Sequence, residues 1–320
     1  MKPHVTVVIP NYNGASLLRL NLPSVIKAAQ TYGADTQIIV VDDGSKDASV
    51  DVLKQEFSKV VLVPHALNRG FAEAVHSGVD AAKTELILLL NSDVVVQENL
   101  IAALVDYFDD PDTFSVNPLI YDDSGEVKRH SWNLRQFSGG SLKILKWDLA
   151  KAQAKRNSGQ KLTTLYAHGG SLMLRRSMFK ALNGFHPIYK PFYSEDFDLG
   201  IRAWRKGWKS YFEPNVSIVH QSLGAIRQTV KIKYIKCIRR RNRYLLEWIH
   251  LTPKQLMLSA LPMTLIQLFG ELLSFDFNNI KGFYLALLKL PQAILARQEV
   301  ALADKLTFEQ VLALIGDSAD

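Results

Sequence analysis

The N-terminal part of the chain repeats one pattern four times: a short aliphatic run followed directly by a polar cluster. The runs span residues 5–9, 38–41, 60–63 and 86–90, and the clusters after them read PNYNG, DDGSKD, HALNRG and NSD. Nearly continuous aliphatic runs are typical of parallel strands covered on both faces. Helical patterns separate them, as in FAEAVHSGVDAA, where Phe71, Val75 and Val79 share one face. The alternation predicts βαβ units and an open α/β sheet.

Parallel strands present their carboxyl ends at one edge of a sheet, so all four polar clusters are expected at the same edge. Ligands bind at this edge in open α/β sheets. The fourth cluster lies within ILLLNSDVVV, where Asp93 is flanked by aliphatic residues. An unpaired ionised carboxylate is costly in such surroundings. We therefore expect the strand to end at Leu90 and Asp93 to meet a positive partner.

The rest of the chain predicts a second half of the sheet and a helical extension. Residues 121–165 are polar and irregular, with a helix expected in LKILKWDLAKAQAK. A strand in HGGSLMLRR, helices in SMFKALNGF and EDFDLGIRAWRKGW, and strands in KSYFEP and VSIVH follow. From about residue 221 the composition turns basic and then amphipathic. This pattern predicts a domain of residues 1–220, with halves 1–120 and 121–220, and a helical region of residues 221–320.

The net charge of +7 and the pI near 9.3 indicate anionic partners such as nucleotide phosphates, nucleic acid or an acidic membrane. Much of the charge lies in KIKYIKCIRRRNR, residues 231–243. Ile232, Ile235 and Ile238 follow each other there at a spacing of three, which predicts a helix with an apolar stripe flanked by cations. Such a helix fits an anionic membrane surface. Alternatively, the C-terminal segments pack on the first domain and the basic face is only solvated.

Two features bear on the cellular compartment. The single cysteine, Cys237, cannot form an internal disulfide, which favours a reducing, cytoplasmic setting. The apolar stretch LMLSALPMTLIQLFG is interrupted by Pro262 and Gln267, so no transmembrane helix is expected there. We therefore expect a cytoplasmic protein, peripheral on the inner face of the cytoplasmic membrane. Nothing in the sequence indicates the oligomeric state.

The polar clusters of the first half supply candidate nucleotide contacts. Asp42 and Asp43 can accept hydrogen bonds from a nucleobase or a ribose hydroxyl, or they can belong to the cap of a helix that starts near Lys46. Arg69 could reach a phosphate, although surface arginines are common.

The other candidates are acids and one histidine. Asn91-Ser92-Asp93 is a relaxed Asp-x-Asp, which suits a hard divalent cation, or it is a turn before a helix at 97–108. Glu195 and Asp196 open a helix, where either could act as a general base or could simply complement the helix dipole. His220 closes a strand as a metal ligand or as a packed side chain.

Taken together, these motifs over residues 4–220 resemble the family 2 inverting glycosyltransferases, which have the GT-A fold, a Rossmann-like nucleotide-binding sheet. The matching pieces are VVIPNYNG, VVDDGSKD, NRGFAEAVHSGVDAA, LLLNSDVVV, HGGSLMLRR, NGFHPIYKPFYSEDFDLGIRAWRKGW and the closing VH. The resemblance is to bacterial envelope-polysaccharide and rhamnosyltransferase-like members. It implies that the first half binds a nucleotide-sugar and the second half binds the acceptor.

The resemblance also implies residue roles. The catalytic base would be Asp196, beside Glu195, with Gly169 and Gly170 contacting the acceptor. Asp93 would hold Mg²⁺ or Mn²⁺ against the diphosphate, and His220 would be a further metal ligand. The nucleotide pocket would comprise Pro10, Asn11, Tyr12, Asn13, Asp42, Asp43, Arg69, Gly70, Asn91 and Ser92. Two residues depart from the family pattern: Asn91 replaces the first acid of Asp-x-Asp, and His76 stands where many members have Asn.

The sequence thus predicts a metal-dependent inverting transferase of hexosyl or deoxyhexosyl groups. The expected acceptor is a saccharide or lipid-linked saccharide in envelope polysaccharide synthesis, and no nucleic acid partner is expected. A nucleotidyltransferase is an alternative, but the chain lacks a Gly-rich, Lys-bearing phosphate loop after the first strand. A non-enzymatic saccharide- or nucleic-acid-binding protein is another, but it has no need of Asp93 and Asp196.

Overall fold

The computed structural model describes residues 2–221, 231–275, 277–302 and 305–316. Its strands are β1 (Val5–Asn11), β2 (Thr36–Asp42), β3 (Val61–Pro64), β4 (Leu86–Leu90), β5 (Val94–Val96), β6 (Thr113–Tyr121), β7 (Arg135–Ser138), β8 (Ser141–Ile144), β9 (Leu162–Thr163), β10 (Ser171–Arg175) and β11 (Lys209–His220). Its helices are α1 (Ala15–Tyr32), α2 (Ser49–Glu56), α3 (Phe71–Ala81), α4 (Leu100–Val105), α5 (Leu149–Asn157), α6 (Arg176–Ala181), α7 (Glu195–Arg205), α8 (Ile232–His250), α9 (Pro253–Leu273), α10 (Asn278–Leu287), α11 (Leu290–Leu302) and α12 (Phe308–Gly316).

The central feature is one open mixed sheet in the order β3-β2-β1-β4-β10-β6-β11-β5. Strands β3, β2, β1 and β4 are parallel, as the four aliphatic runs predict. Strand β10 lies antiparallel between β4 and β6, and β11 joins the first half again through β5. The predicted α/β class is therefore confirmed, and the carboxyl ends of β1, β2 and β4 meet at one edge.

Strand register decides which side chains meet at that edge. Strand β4 ends at Leu90, as expected, and Leu90 pairs with Ser171 of β10. His220, the last residue of β11, pairs with Val94 of β5, so it lies beside the residue that precedes Val94. Register alone thus places the imidazole of His220 next to Asp93.

Hydrophobic cores cover both faces of the sheet and continue into the C-terminal helices. One core packs α1 and α4 against one face, and a second packs α3 and α6 against the other. A third core joins Trp204 and Phe212 of the sheet domain to Tyr244 and Leu245 of α8. The C-terminal helical region is therefore built onto the second half of the sheet.

This packing corrects the interpretation of the basic run. Ile235 and Ile238 are buried against Phe192, so the expected membrane-facing stripe is wrong for these two residues. Ile232 remains exposed, and Arg241 is buried. An amphipathic helix buries its apolar face wherever a partner surface exists, and here the partner is the sheet domain.

Several boundaries also differ from the sequence expectations. Residues 141–144 form β8 instead of a helix, because Gly139 and Gly140 take positive φ angles of 57° and 76° and close a hairpin with β7. Strand β5 precedes the helix that was expected at 97–108, and that helix begins at Leu100. The two predicted strands near residue 214 are one strand, β11, with a bulge.

Helix α9 is longer than its sequence suggested. It runs from Pro253 to Leu273 and contains an 18-residue window with a mean hydropathy of 1.6, of which only 11% is buried, so by length and composition it could cross a membrane. Pro262 does not interrupt it, because that residue falls in the first turn after a short π-helical segment at Leu256–Ala260.

Candidate active site

The nucleotide half of the sheet edge is organised by two buried carboxylates. Asp42 accepts bonds from the Asn11 side chain (3.0 Å) and from the backbone and hydroxyl of Ser45 (3.0 and 2.6 Å). Asn13 joins this loop, because its backbone N–H donates to the Ser45 hydroxyl at 2.8 Å. The loop after β1, from Pro10 to Asn13, is thus tied to the turn after β2.

Asp43 holds the third strand's loop in the same way. Its carboxylate accepts bonds from His65 Nδ1 (2.7 Å) and from the backbone N–H groups of Arg69 (2.9 Å) and Gly70 (2.8 Å). Helix α2 begins only at Ser49, so Asp43 does not cap it. The Arg69 side chain is half exposed and pairs with Glu73 at 3.0 Å, which turns it toward α3.

The metal candidates Asp93 and His220 are brought together. His220 Nε2 lies 3.2 Å from Asp93 Oδ1, and Asp93 is 5% exposed. Asn91 Oδ1 is buried without a hydrogen-bond partner among the described residues. The triplet does not precede a helix, because β5 follows it directly. Within the described ranges, three His, Cys, Asp or Glu side chains do not gather at any metal-sized site.

These donors fit an open divalent-cation site. A carboxylate, an imidazole and an unpaired amide oxygen are ligands that Mg²⁺ or Mn²⁺ accepts, and such ions usually share their shell with substrate phosphates. The orphaned Asn91 oxygen supports the fit, because buried polar atoms otherwise find partners.

The candidate base, Asp196, lies in the first turn of α7 and is partly buried. Its Oδ2 accepts a bond from the Gly169 N–H at 3.0 Å, and its Oδ1 accepts one from the Phe197 N–H at 2.8 Å. Burial raises the pKa of Asp196, while these two N–H donors oppose the shift by stabilising the anion.

Its neighbour Glu195 has a different environment. Burial and the charge of Asp196 raise the pKa of Glu195 to about 8, and its Oε2 has no described hydrogen-bond partner. Near neutral pH, Glu195 therefore holds a proton, whereas the two N–H donors favour the anionic form of Asp196. The geometry favours Asp196 over Glu195 as the base.

Two consecutive glycines connect the base to the metal candidates. Gly169 donates to Asp196, and the carbonyl of Gly170 accepts a bond from the backbone N–H of Asn91 at 2.9 Å. A Cβ on Gly170 would stand 2.6 Å from the side-chain nitrogen Nδ2 of Asn91, so the Asn91 side chain would have to move. The two glycines let the base and Asp93 approach the same cleft.

Sequence reasoning missed the histidines that surround this cleft. His168 stacks on His130 with ring centroids 4.9 Å apart and meets the edge of His220 at 5.6 Å. Burial lowers the pKa of both His130 and His168 to about 3, so both imidazoles are neutral. The neutral His168 ring supports His220 without repelling a cation. His168 stands inside the quoted HGG motif, but no motif signals His130.

Helix α7 is fixed by a buried polar network around Asp198. This carboxylate accepts bonds from Arg202 Nε (2.6 Å), His250 Nε2 (2.9 Å) and the Tyr189 hydroxyl (3.1 Å). Burial alone would raise the pKa of Asp198, but the Arg202 charge and the His250 bond hold it well below the ordinary value. Breaking a buried pair of this kind typically costs about 3–5 kcal/mol, so the network keeps Asp196 in place.

The open sheet thus presents the buried carboxylates of Asp42 and Asp43 and the Asp93–His220 pair, with Asp196 linked to that pair through Gly169 and Gly170. The family described as Glycosyl transferase family 2 matches residues 6–182, more than half of the chain. The chain belongs to glycosyl transferase family 2, and it is a glycosyltransferase.

Curated relatives agree with this assignment. The N-acetylglucosaminyl-diphospho-decaprenol L-rhamnosyltransferase of Mycobacterium tuberculosis is 26% identical over 57% of this chain and 66% of its own length. Glycosyltransferase GlyG of Streptococcus pneumoniae is 33% identical over 39% of this chain and 42% of its own. The chain thus spans less than two thirds of either relative.

Solved structures identify the fold as GT-A. GalNAc-T7 with UDP, GalNAc and Mn²⁺ is 20% identical, with a TM-score of 0.61 over 78% of this chain and 48% of that one. Mannosyltransferase PcManGT of Pyrobaculum calidifontis, in complex with GDP-Man and Mn²⁺, is 18% identical, with a TM-score of 0.56 over 100% of this chain and 80% of that one.

Proposed function

We propose that the chain is a divalent-cation-dependent, inverting glycosyltransferase that moves a hexosyl or deoxyhexosyl group from a nucleotide-sugar to a lipid-linked saccharide. The observation that carries the proposal is the linkage of Asp196 to the Asp93–His220 pair through Gly169 and Gly170. A base for the acceptor and ligands for a diphosphate-bound cation then face one cleft. The rhamnosyl transfer and lipid diphosphate in the mycobacterial relative's name support the choice of substrates.

In the proposed reaction, the Asp196 carboxylate takes the proton from an acceptor hydroxyl as that oxygen attacks the anomeric carbon. A bond forms between the acceptor oxygen and the anomeric carbon, and the bond from that carbon to the diphosphate breaks on the opposite face. The configuration therefore inverts, and the nucleoside diphosphate leaves with the electron pair. A cation held by Asp93, His220 and Asn91 would neutralise the charge on the diphosphate.

Purified protein is expected to turn over a nucleotide-sugar only with Mn²⁺ or Mg²⁺. A thermal-shift panel of nucleotide-sugars with each ion identifies the donor, because a ligand of the native state raises the melting temperature. Release of nucleoside diphosphate from that donor is then measured with and without EDTA. Full turnover in the presence of EDTA would rule out the metal-dependent mechanism.

We also propose that the protein works at the inner face of the cytoplasmic membrane in envelope polysaccharide synthesis. Helix α9 exposes Met257, Leu258, Leu265, Ile266 and Phe269, each more than half accessible. Tyr284 of α10, Leu288 in the turn after it and Leu295 of α11 are also exposed. Contiguous apolar surface of this extent marks an interaction site, and a lipid-linked acceptor lies in a membrane.

The exposed cations of α8 supply the electrostatic part of this proposal. Lys231, Lys233 and Lys236 point to solvent, unlike Arg241. Each lysine near an anionic leaflet contributes roughly 1 kcal/mol. Replacing these three by Gln is expected to weaken binding to phosphatidylglycerol vesicles at least about tenfold at low salt, as measured by sedimentation.

Turnover on a soluble acceptor analogue should stay unchanged in this variant. The matched control replaces three exposed lysines of the nucleotide half: Lys54, Lys59 and Lys83. Equal loss of vesicle binding in both triple variants, or wild-type protein that ignores the vesicles, would contradict the membrane proposal.

A further inference from the structure

We propose that Arg241 and Asn242 of α8 are positioning residues for transfer, because they hold the loop that aims Asp196 at the acceptor. The inference rests on the proposed role of Asp196 as the base. It gives the basic run a function inside the protein, beside the contact with the membrane that its exposed lysines make.

The loop in question spans residues 190–194 and leads directly into α7. Its last two residues, Tyr193 and Ser194, have φ angles of 72° and 73°. Residues with a side chain rarely adopt this left-handed conformation, and two in succession need surrounding contacts to hold them. The carbonyl of Ser194 then accepts the first helical bond, from the Asp198 N–H at 2.9 Å. The direction of α7, and of Asp196 in its first turn, therefore depends on this loop.

Asn242 supplies most of the contacts that hold the loop. Its side-chain amide is fully buried and donates to the carbonyl oxygens of Tyr193 (2.6 Å), Phe192 (2.9 Å) and Tyr189 (3.2 Å). Because the amide has two N–H groups and three carbonyl partners, one N–H is shared between two carbonyl oxygens. The carbonyls of Phe192 and Tyr193 belong to a loop without regular structure, and that of Tyr189 ends the short 3-10 helix before it, so the amide replaces the partners that a longer helix or a strand would provide.

Arg241 also holds this loop, and it orients the side-chain amide of Asn242. Its Nη2 donates to the carbonyl of Lys190 at 2.6 Å and to that of Tyr189 at 3.2 Å. Its Nε donates to Asn242 Oδ1 at 2.9 Å, which leaves the Asn242 Nδ2 facing the loop. The guanidinium thus fixes which end of the amide meets the carbonyls.

The same helix also holds α7 beyond the base. His250, the last residue of α8, donates through Nε2 to Asp198 at 2.9 Å, two residues after Asp196. Helix α8 therefore contacts the backbone of the loop that precedes Asp196 and the side chain of Asp198 that follows it. Both contacts come from the C-terminal region, and neither touches the nucleotide half of the edge.

This placement separates acceptor activation from donor binding. Loosening the loop shifts Asp196 relative to the acceptor hydroxyl, and a misplacement of about 1 Å can cost roughly 10²-fold in rate. The proposed donor contacts, Asp42 and Asp43 at the end of β2 and Asp93 between β4 and β5, lie on other segments and should keep their positions. Transfer to the acceptor should fall, while affinity for nucleoside diphosphate should not change.

The experiment compares Asn242→Ala with Asn279→Ala in the full chain. Asn279 is a matched control, because it is also a fully buried asparagine of the C-terminal helices, but its side chain meets the Tyr244 hydroxyl at 2.8 Å and not the loop. We expect Asn242→Ala to lower kcat for transfer roughly 10²-fold with an unchanged Kd for nucleoside diphosphate and Mn²⁺. Asn279→Ala should lower the melting temperature without that loss of kcat.

Hydrogen exchange of the amides of residues 192–196 gives a readout independent of activity. Exchange should accelerate in Asn242→Ala and not in Asn279→Ala. If Asn242→Ala does not fold, Arg241→Gln serves instead, because it removes the bond to Lys190 and frees the Asn242 amide to rotate. The proposal would be overturned if the loop amides stay protected from exchange in the variant. It would also be overturned if kcat falls only in proportion to the melting temperature in both variants. If the wild-type protein is inactive but hydrogen exchange of the loop still accelerates in the variant, the result counts against the proposed function and not against the role of Asn242.

Discussion

Asp196→Asn is expected to lower turnover by about 10² to 10⁴, the usual contribution of a positioned general base. The substitution keeps the size of the side chain, but an amide cannot take a proton from the acceptor hydroxyl. Affinity for the nucleotide-sugar should hardly change if Asp196 acts on the acceptor as proposed, because its carboxylate bonds are to the backbone N–H groups of Gly169 and Phe197 and not to the nucleotide loops. Steady-state kinetics on the acceptor and calorimetry with the donor measure the two effects separately.

Glu195→Gln is the control for this prediction. Glu195 is protonated near neutral pH, so replacing it by an uncharged amide should cost far less than the change at Asp196. If Glu195→Gln proves the more damaging of the two, the base has been assigned to the wrong carboxylate.

The pH profile gives an independent check. Only the deprotonated form of Asp196 can act as a base, so turnover should rise with pH through the pKa of this group. Because burial raises that pKa, the acid limb of the profile should lie above the ordinary range of an aspartate. In Glu195→Gln the acid limb should stay in place and activity should persist, because Glu195 already holds its proton in that pH range.

The sequence predicts the sheet edge well, because it depends on local pattern. Aliphatic runs specify strands wherever both faces are covered, and the carboxyl ends of parallel strands must then meet. Asp93 illustrates this: β4 ends at Leu90 as expected, and Asp93 then lies 3.2 Å from the imidazole of His220. That pairing, however, rests on the register of β11 with β5, which local pattern does not contain.

The sequence could not reveal contacts between segments that lie far apart in the chain. A run of seven basic residues suggests a solvated or membrane-bound face, yet Arg241 lies inside the protein and binds backbone carbonyls. The carbonyls of Tyr189 and Lys190, about fifty residues earlier in the chain, make that burial favourable. His130 was missed for the same reason, since its role follows from stacking on His168 and not from any spacing.

Asp93→Asn is expected to weaken the binding of nucleoside diphosphate in the presence of Mn²⁺ by more than roughly 10²-fold, because even partners outside the ligand shell contribute 10- to 100-fold to metal affinity. The fold should persist, because the backbone bond from Gln221 N–H to the Asp93 carbonyl and the pairing of Val94 with His220 do not involve the carboxylate. Calorimetric titration of nucleoside diphosphates, with Mn²⁺ and with EDTA, measures the difference. Binding in EDTA should be equally weak in both proteins.

His220→Ala distinguishes a metal site from an internal ion pair. If Asp93 and His220 only bond each other, removing the imidazole leaves a buried carboxylate unpaired, which destabilises the protein but leaves its response to Mn²⁺ unaltered. If both bind the cation, His220→Ala should raise the Mn²⁺ concentration needed for half-maximal turnover, and saturating Mn²⁺ should recover much of the activity because Asp93 and the diphosphate still hold the ion. Undiminished Mn²⁺-dependent turnover in Asp93→Asn would show that the cation is held elsewhere. The neutral His168 ring beside His220 would then be only a packing element of the cleft.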